Sequence, residues 1–102
     1  MQIFNVTISS DAQNDLASII EYLNKFSPAI GAKYYDLISN KILSLQKMPL
    51  RLPVVRDERL TKEQVRWIFA KNYVIFFVAD RKTSVVDVKR ILYSSMAFDV
   101  LL

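Results

Sequence analysis

The stretch Val65-Arg-Trp-Ile-Phe-Ala-Lys-Asn-Tyr-Val-Ile-Phe-Phe-Val-Ala79, followed after a polar gap by Val85-Val-Asp-Val-Lys-Arg-Ile-Leu92, decides the fold. β-Branched and aromatic side chains fill it, and Lys71-Asn72 is the one polar break inside its first part. Such runs read as strands and such a break as a tight hairpin turn. Strands are therefore expected over Val65–Ala70, Tyr73–Ala79 and Val85–Leu92, with Asp80 to Ser84 as the second turn.

Upstream, residues 2–8 are β-branched and aromatic with partial alternation and read as one more strand. Ser10 and Gln13 have the form of a capping box, in which hydroxyl and amide side chains satisfy free backbone donors. Ala12, Leu16, Ile19, Ile20 and Leu23 follow at helical spacing, which predicts an amphipathic helix over 11–25. Ser27-Pro28 reads as an N-cap with proline at the first helical position. The second helix should run to about Lys47, with Ile30, Tyr34, Ile38, Ile42 and Leu45 along one side. Pro49 and Pro53 stop it. The short link makes the pair an antiparallel hairpin, and Gly31-Ala32 offers a place for close approach.

Residues 49–64 have no clean period and read as a long connection, and Ser94 to Leu102 as a short helix or a packed tail. The expected architecture is α+β in the order β-α-α-β-β-β with a short C-terminal element. The helical hairpin should cover one face of a mainly antiparallel sheet in a single domain over 1–102.

Pairing Ala70 with Tyr73 and Ala79 with Val85 sorts the side chains by face. Val65, Trp67, Phe69, Val74, Phe76, Val78, Val86, Val88 and Leu92 fall on one side, with Arg90 as its single charge. That side is expected beneath the helices. Arg66, Ile68, Tyr73, Ile75, Phe77, Asp87, Lys89, Ile91 and Tyr93 fall on the other. A half-apolar face carrying arginine, lysine and tyrosine suits a partner segment or a nucleic acid. Self-cover by Met96 to Leu102 is equally open at this point, and a register slip of one residue would exchange the faces.

Composition narrows the chemistry. The 102 residues contain no Cys and no His, which removes thiol catalysis, disulfides and the commonest metal ligands. A single glycine cannot build a phosphate loop. No cofactor and no metal are expected: the acidic group Asp57, Glu58 and Glu63 is interleaved with Arg56, Arg59 and Lys62 and reads as solvated loop. The N-terminus shows no leader pattern, and the longest uncharged apolar run, Tyr73 to Ala79, falls far short of the roughly twenty residues of a membrane span. A soluble cytoplasmic protein is expected, with no membrane partner. The net charge of +4 lies wholly in residues 51–102, which reads either as an ordinary mixed-charge surface with a slight basic excess or as an anionic partner for that half, and charge alone favours the former. Arg66, Lys89 and Tyr93 share a face with Arg90 nearby, a group able to hold a phosphate and move a proton. Without histidine, Lys and Tyr would need large pKa shifts for that work.

Three stretches carry a resemblance. They are Val6-Thr-Ile-Ser-Ser-Asp-Ala12 leading to Asp15-Leu16, Leu45-Gln-Lys-Met-Pro49, and Asn72-Tyr-Val-Ile-Phe-Phe-Val78 followed by Arg90-Ile-Leu-Tyr93. Together they resemble the RelE/ParE superfamily of type II toxin–antitoxin toxins, nearest to ParE-like plasmid-stabilisation proteins. The resemblance implies a growth-inhibiting toxin neutralised by a cognate antitoxin, in a toxin–antitoxin hetero-oligomer. It implies that the antitoxin covers the mixed face, namely Arg66, Ile68, Tyr73, Ile75, Phe77, Lys89, Ile91 and Tyr93. ParE-like members poison DNA gyrase, whereas RelE-like members cleave mRNA on the ribosome. The nucleases place Arg after the aromatic residue that opens the third strand, and Val74 stands there in this chain. They also carry a basic run where Ser94-Ser-Met-Ala97 stands here. The resemblance therefore points to a gyrase poison. A RelE-like endoribonuclease using Arg66, Lys89, Arg90 and Tyr93, or a non-toxic member that only binds antitoxin, are the alternatives.

Overall fold

Two serines start the two helices. Ser9 accepts a hydrogen bond from the Ala12 N–H through its hydroxyl at 3.1 Å, and Ser27 does the same for Ile30 at 3.4 Å. The first N-cap is thus Ser9, one residue before the expected Ser10, while Gln13 reaches back to the Ile8 carbonyl at 3.0 Å. The computed structural model describes residues 2–57, 62–95 and 97. The elements are β1 (Asn5–Ile8), α1 (Ser10–Asn24), α2 (Pro28–Ser44), a 3-10 turn (Pro49–Arg51), β2 (Arg66–Ala70), β3 (Tyr73–Asp80) and β4 (Val85–Tyr93). The expected β-α-α-β-β-β order is the observed one. Of the C-terminal element, Ala97 is buried, and Met96 and residues 98–102 lie outside the described residues.

The sheet runs β1-β4-β3-β2, with β1 parallel to β4 and the other pairs antiparallel. Ala70 pairs with Tyr73 across Lys71-Asn72, as the sequence implies. The next turn differs. Asp80 pairs with Val85, so Ala79 meets Val86 where alternation had put Val85. A β-bulge then makes Phe77 pair with Val88 and Phe76 with Arg90, leaving Lys89 as the extra residue.

These two shifts move Val86 and Val88 to the side of Ile75 and Phe77, and the helices cover that side. The helices cover Ala70, Tyr73, Ile75, Phe77, Val86, Val88 and Ile91, which pack with Ile38, Ile42 and Leu45 of the second helix region. Val65, Val74, Phe76, Val55 and Ala97 form a separate small core on the opposite face, with Trp67, Val78 and Leu92 at its margin. The side expected beneath the helices is therefore mostly the other one. Both sides are apolar enough to be buried, so hydropathy alone cannot choose between them.

Backbone junctions are tight. Met48, Gln64, Lys71 and Ser84 all adopt left-handed backbone with φ between 50° and 56°, a conformation that costs a non-glycine residue about 1–2 kcal/mol. Gly31 is buried, and the Asn24 side chain occupies the space a Cβ would take, with its Cγ 2.9 Å from that point. The close helix approach expected at Gly31 is present there.

Candidate functional site

Arg66, Lys89, Arg90 and Tyr93 do not converge. Arg66 opens β2 and donates from Nη1 to the carbonyls of Leu52 at 2.6 Å and Leu50 at 3.1 Å, which ties down the chain after α2. Lys89, in the bulge, pairs with Asp87 at 2.8 Å. Arg90 grips Asp15 of α1 with two bonds, Nε to Oδ2 at 2.8 Å and Nη2 to Oδ1 at 3.1 Å. Asp15 Oδ2 also accepts the Ile91 N–H at 2.9 Å, and the Ser9 hydroxyl donates to the Lys89 carbonyl at 2.9 Å. The start of α1 thereby satisfies the backbone of the bulge. Hydrogen bonding to Asp15 raises the Arg90 pKa above the ordinary value, against the opposing pull of partial burial. Its charge is fixed and structural.

Tyr93 sits opposite Tyr73, their rings 5.6 Å apart, whereas Arg66 sits opposite Phe77. Four residues of β3 separate those positions, about 13 Å of strand. Arg66 and Tyr93 do share the helix-side face, as alternation implies, but they lie at its two ends.

Of the residues expected to meet a partner, Ile75, Phe77 and Ile91 are wholly buried, and Tyr73 nearly so, beneath the chain's own helices. Ile68 is half-buried against the same core. Only Lys89 and Tyr93 of that group are exposed. An open surface made of the whole group is therefore corrected to its rim.

What sequence reading missed is a groove of about 630 Å³ between the helical hairpin and the sheet end. Tyr22, Tyr34, Tyr73 and Tyr93 line it, with Asp15 and Leu23. Tyr34 meets Tyr73 edge-on at 5.9 Å, and Lys71 holds its ammonium 5.7 Å from the Tyr34 ring centre. Burial first, then the neighbouring phenols of Tyr34, Tyr93 and Tyr22, push the Tyr73 pKa up. Tyr22 of the groove meets Phe26 edge-on at 5.2 Å, and two apolar side chains near the hairpin tip are exposed, Phe26 at 69% and Ile30 at 43%. The sequence shows Tyr22, Phe26 and Ile30 only as scattered apolar residues around the link between the helices, and no helical period spans that link.

Charge is segregated as well. α1 carries Asp11, Asp15 and Glu21 and no Lys or Arg, while the basic groups Arg51, Arg56, Lys62 and Lys71 surround β2. An aromatic groove, an exposed hairpin tip and the engagement of Arg66, Lys89 and Arg90 with intramolecular acceptors suit binding better than bond cleavage.

A family model described as ParE toxin of type II toxin-antitoxin system, parDE, matches residues 6–98. Three solved structures are similar. A chain of a chromosomal ParDE TA system from P. aeruginosa has a TM-score of 0.71 and 17% identity, over 91% of this chain and 98% of that one. A chain of the toxin–antitoxin complex RelBE2 from Mycobacterium tuberculosis has 0.61 and 20%, over 89% and 98%. A chain of the archaeal RelE-RelB complex from Pyrococcus horikoshii OT3 has 0.62 and 14%, over 92% and 97%. At these identities the likeness is one of fold. No curated protein matches the chain.

Proposed function

The chain belongs to the ParE toxins of type II toxin–antitoxin systems, and from that premise we infer that it arrests growth by binding a protein target, DNA gyrase, and is held inactive by a cognate antitoxin. The observation that carries the binding reading over the nuclease one is the commitment of each cation a nuclease would use. Arg66 serves two carbonyls, Arg90 serves Asp15, and Lys89 serves Asp87. Freeing Arg66 or Arg90 for a phosphate would leave partly buried acceptors without these partners, which is costly. Val74, at the position where the nucleases carry Arg, is fully buried in the smaller core. No described helix is long and apolar enough to cross a membrane, which fits a target in the cytoplasm.

The solved relatives are toxin–antitoxin pairs, which supports an antitoxin as the partner. Exposed apolar side chains on the hairpin are the kind of surface a tight protein partner removes from water. Induced expression tests the reading with two measurements in the same cells. Gyrase poisoning predicts DNA-damage signalling and filamentation with transcripts intact, and co-expressed antitoxin restores growth. Prompt transcript cleavage with replication intact would overturn it in favour of a ribosome-dependent mRNA endoribonuclease. Normal growth under strong expression would leave a member that only binds antitoxin.

A further inference from the structure

We propose that two copies of this chain associate through α2, whose exposed face pairs antiparallel with the same face of a second copy. The pairing goes beyond the toxin reading and does not depend on it.

Residues seven and eleven positions apart return to the same side of a helix. Asp36, Leu43 and Lys47 have that spacing. α2 ends at Ser44, but Leu45, Gln46 and Lys47 continue its winding. Their N–H groups bond back to the carbonyls of Ile42, Leu43 and Ser44 at 3.1, 3.1 and 3.3 Å. Asp36, Leu43 and Lys47 are all exposed, while Ile38, Ile42 and Leu45 turn inward to the main core. Leu43 is 56% exposed, and Tyr35 and Met48 beside the stripe are 51% and 55% exposed. Single exposed apolar residues are ordinary, but a line of them along one helix marks a contact surface.

The order of the residues identifies the occupant. Asp36 and Lys47 lie equally far from the point between Lys41 and Ile42, and so do Tyr35 and Met48. A two-fold axis through that point, with the helices antiparallel, sets Asp36 of each copy against Lys47 of the other. It sets Tyr35 of each copy against Met48 of the other. The two Leu43 side chains meet beside the axis, offset by about 4.5 Å along the helices. Such reciprocity is what an isologous contact requires, and a face made for a different protein has no reason to carry its own complement.

Each pairing is favourable in kind: opposite charges, and a thioether against an aromatic ring. The two Asp36 carboxylates end about 16 Å apart along the axis, beyond the screening length of about 8 Å at physiological salt. Neither Asp36 nor Lys47 has an ion partner among the described residues, so association breaks no internal pair. α2 has 17 residues and is about 25 Å long, which gives a contact at the small end of specific interfaces. A dissociation constant of about 10–100 μM is expected.

Sedimentation equilibrium of the full chain from about 1 μM to about 1 mM tests the proposal. The unaltered chain should pass from monomer to dimer across that range. Leu43→Glu puts two carboxylates beside the axis and should leave only monomer. Asp36→Lys and Lys47→Asp should each weaken the dimer about tenfold, and the double variant should restore it to within about threefold. All three positions are exposed, so the thermal midpoint should stay nearly unchanged. Should Leu43→Glu fail to fold, the charge exchange decides alone. A chain that stays monomeric up to about 1 mM leaves this face to a different protein and overturns the proposal. A dimer that persists in Leu43→Glu, or one that the double variant does not restore, overturns it as well.

Discussion

Phe76 and Phe77 are adjacent, both wholly buried, and point to opposite sides of the same sheet. Phe77 lies between the sheet and two helices, in a core that draws on every layer of the fold. Phe76 lies under chain segments, with Val55 from one connection and Ala97 from the C-terminal region. One side is closed by rigid elements with their own hydrogen-bond ladders, and the other by stretches that can settle. Equal burial does not mean equal enclosure, and the energetic consequences should differ.

Replacing Phe77 by alanine should cost about 3–5 kcal/mol and Phe76 by alanine about 2–3, because loose covering collapses into a cavity more completely. Urea unfolding measures both, and a larger loss for Phe76 would reverse the contrast. Asp15→Asn attacks the helix-covered side at its anchor, since Asp15 holds Arg90 and the Ile91 N–H together. A loss of about 2–3 kcal/mol is expected, and a neutral result would show that packing alone holds α1 on β4. At the hairpin between the two sides, Lys71→Gly should stabilise by about 0.5–1 kcal/mol, since φ is 53° there.

The smallest effect concerns pH. The folded chain holds Tyr73 with a pKa above its ordinary 10.0, so its contribution to stability is full below that value. It is lost as pH rises through the higher folded value, because the unfolded chain releases the proton first. Tyr73→Phe should flatten the alkaline limb of the stability curve. An unchanged limb would mean that Tyr73 titrates alike in both states.

Element order was legible because caps and breakers mark it. Ser27-Pro28, Pro49 and Lys71-Asn72 each end or begin an element where the sequence places them. Which side of the sheet meets the helices was not legible, for a physical reason. Val74, Phe76 and Val78 are as apolar as Tyr73, Ile75 and Phe77, so alternation yields two equally good cores. The placement of Val86 and Val88 depended on whether Asp80 belongs to the turn or to β3, and on the extra residue Lys89, neither of which has a hydropathy signature. The candidate site was legible in kind and misplaced in detail. Arg66 and Arg90 look like free cations in a sequence, because Leu50, Leu52 and Asp15 are distant in the chain.

The bulge at Lys89 has a genetic consequence. Val88 and Arg90 keep their partners on β3 whether or not Lys89 stands between them, so loss of that one codon should preserve every downstream pairing and merely straighten the ribbon. Gain of a codon just after it leaves two surplus residues, and either the loop swells or Ile91 and Tyr93 swing away from the hairpin. Length variants at this point should therefore be asymmetric: shortening survives in a solubility screen, and lengthening drops out.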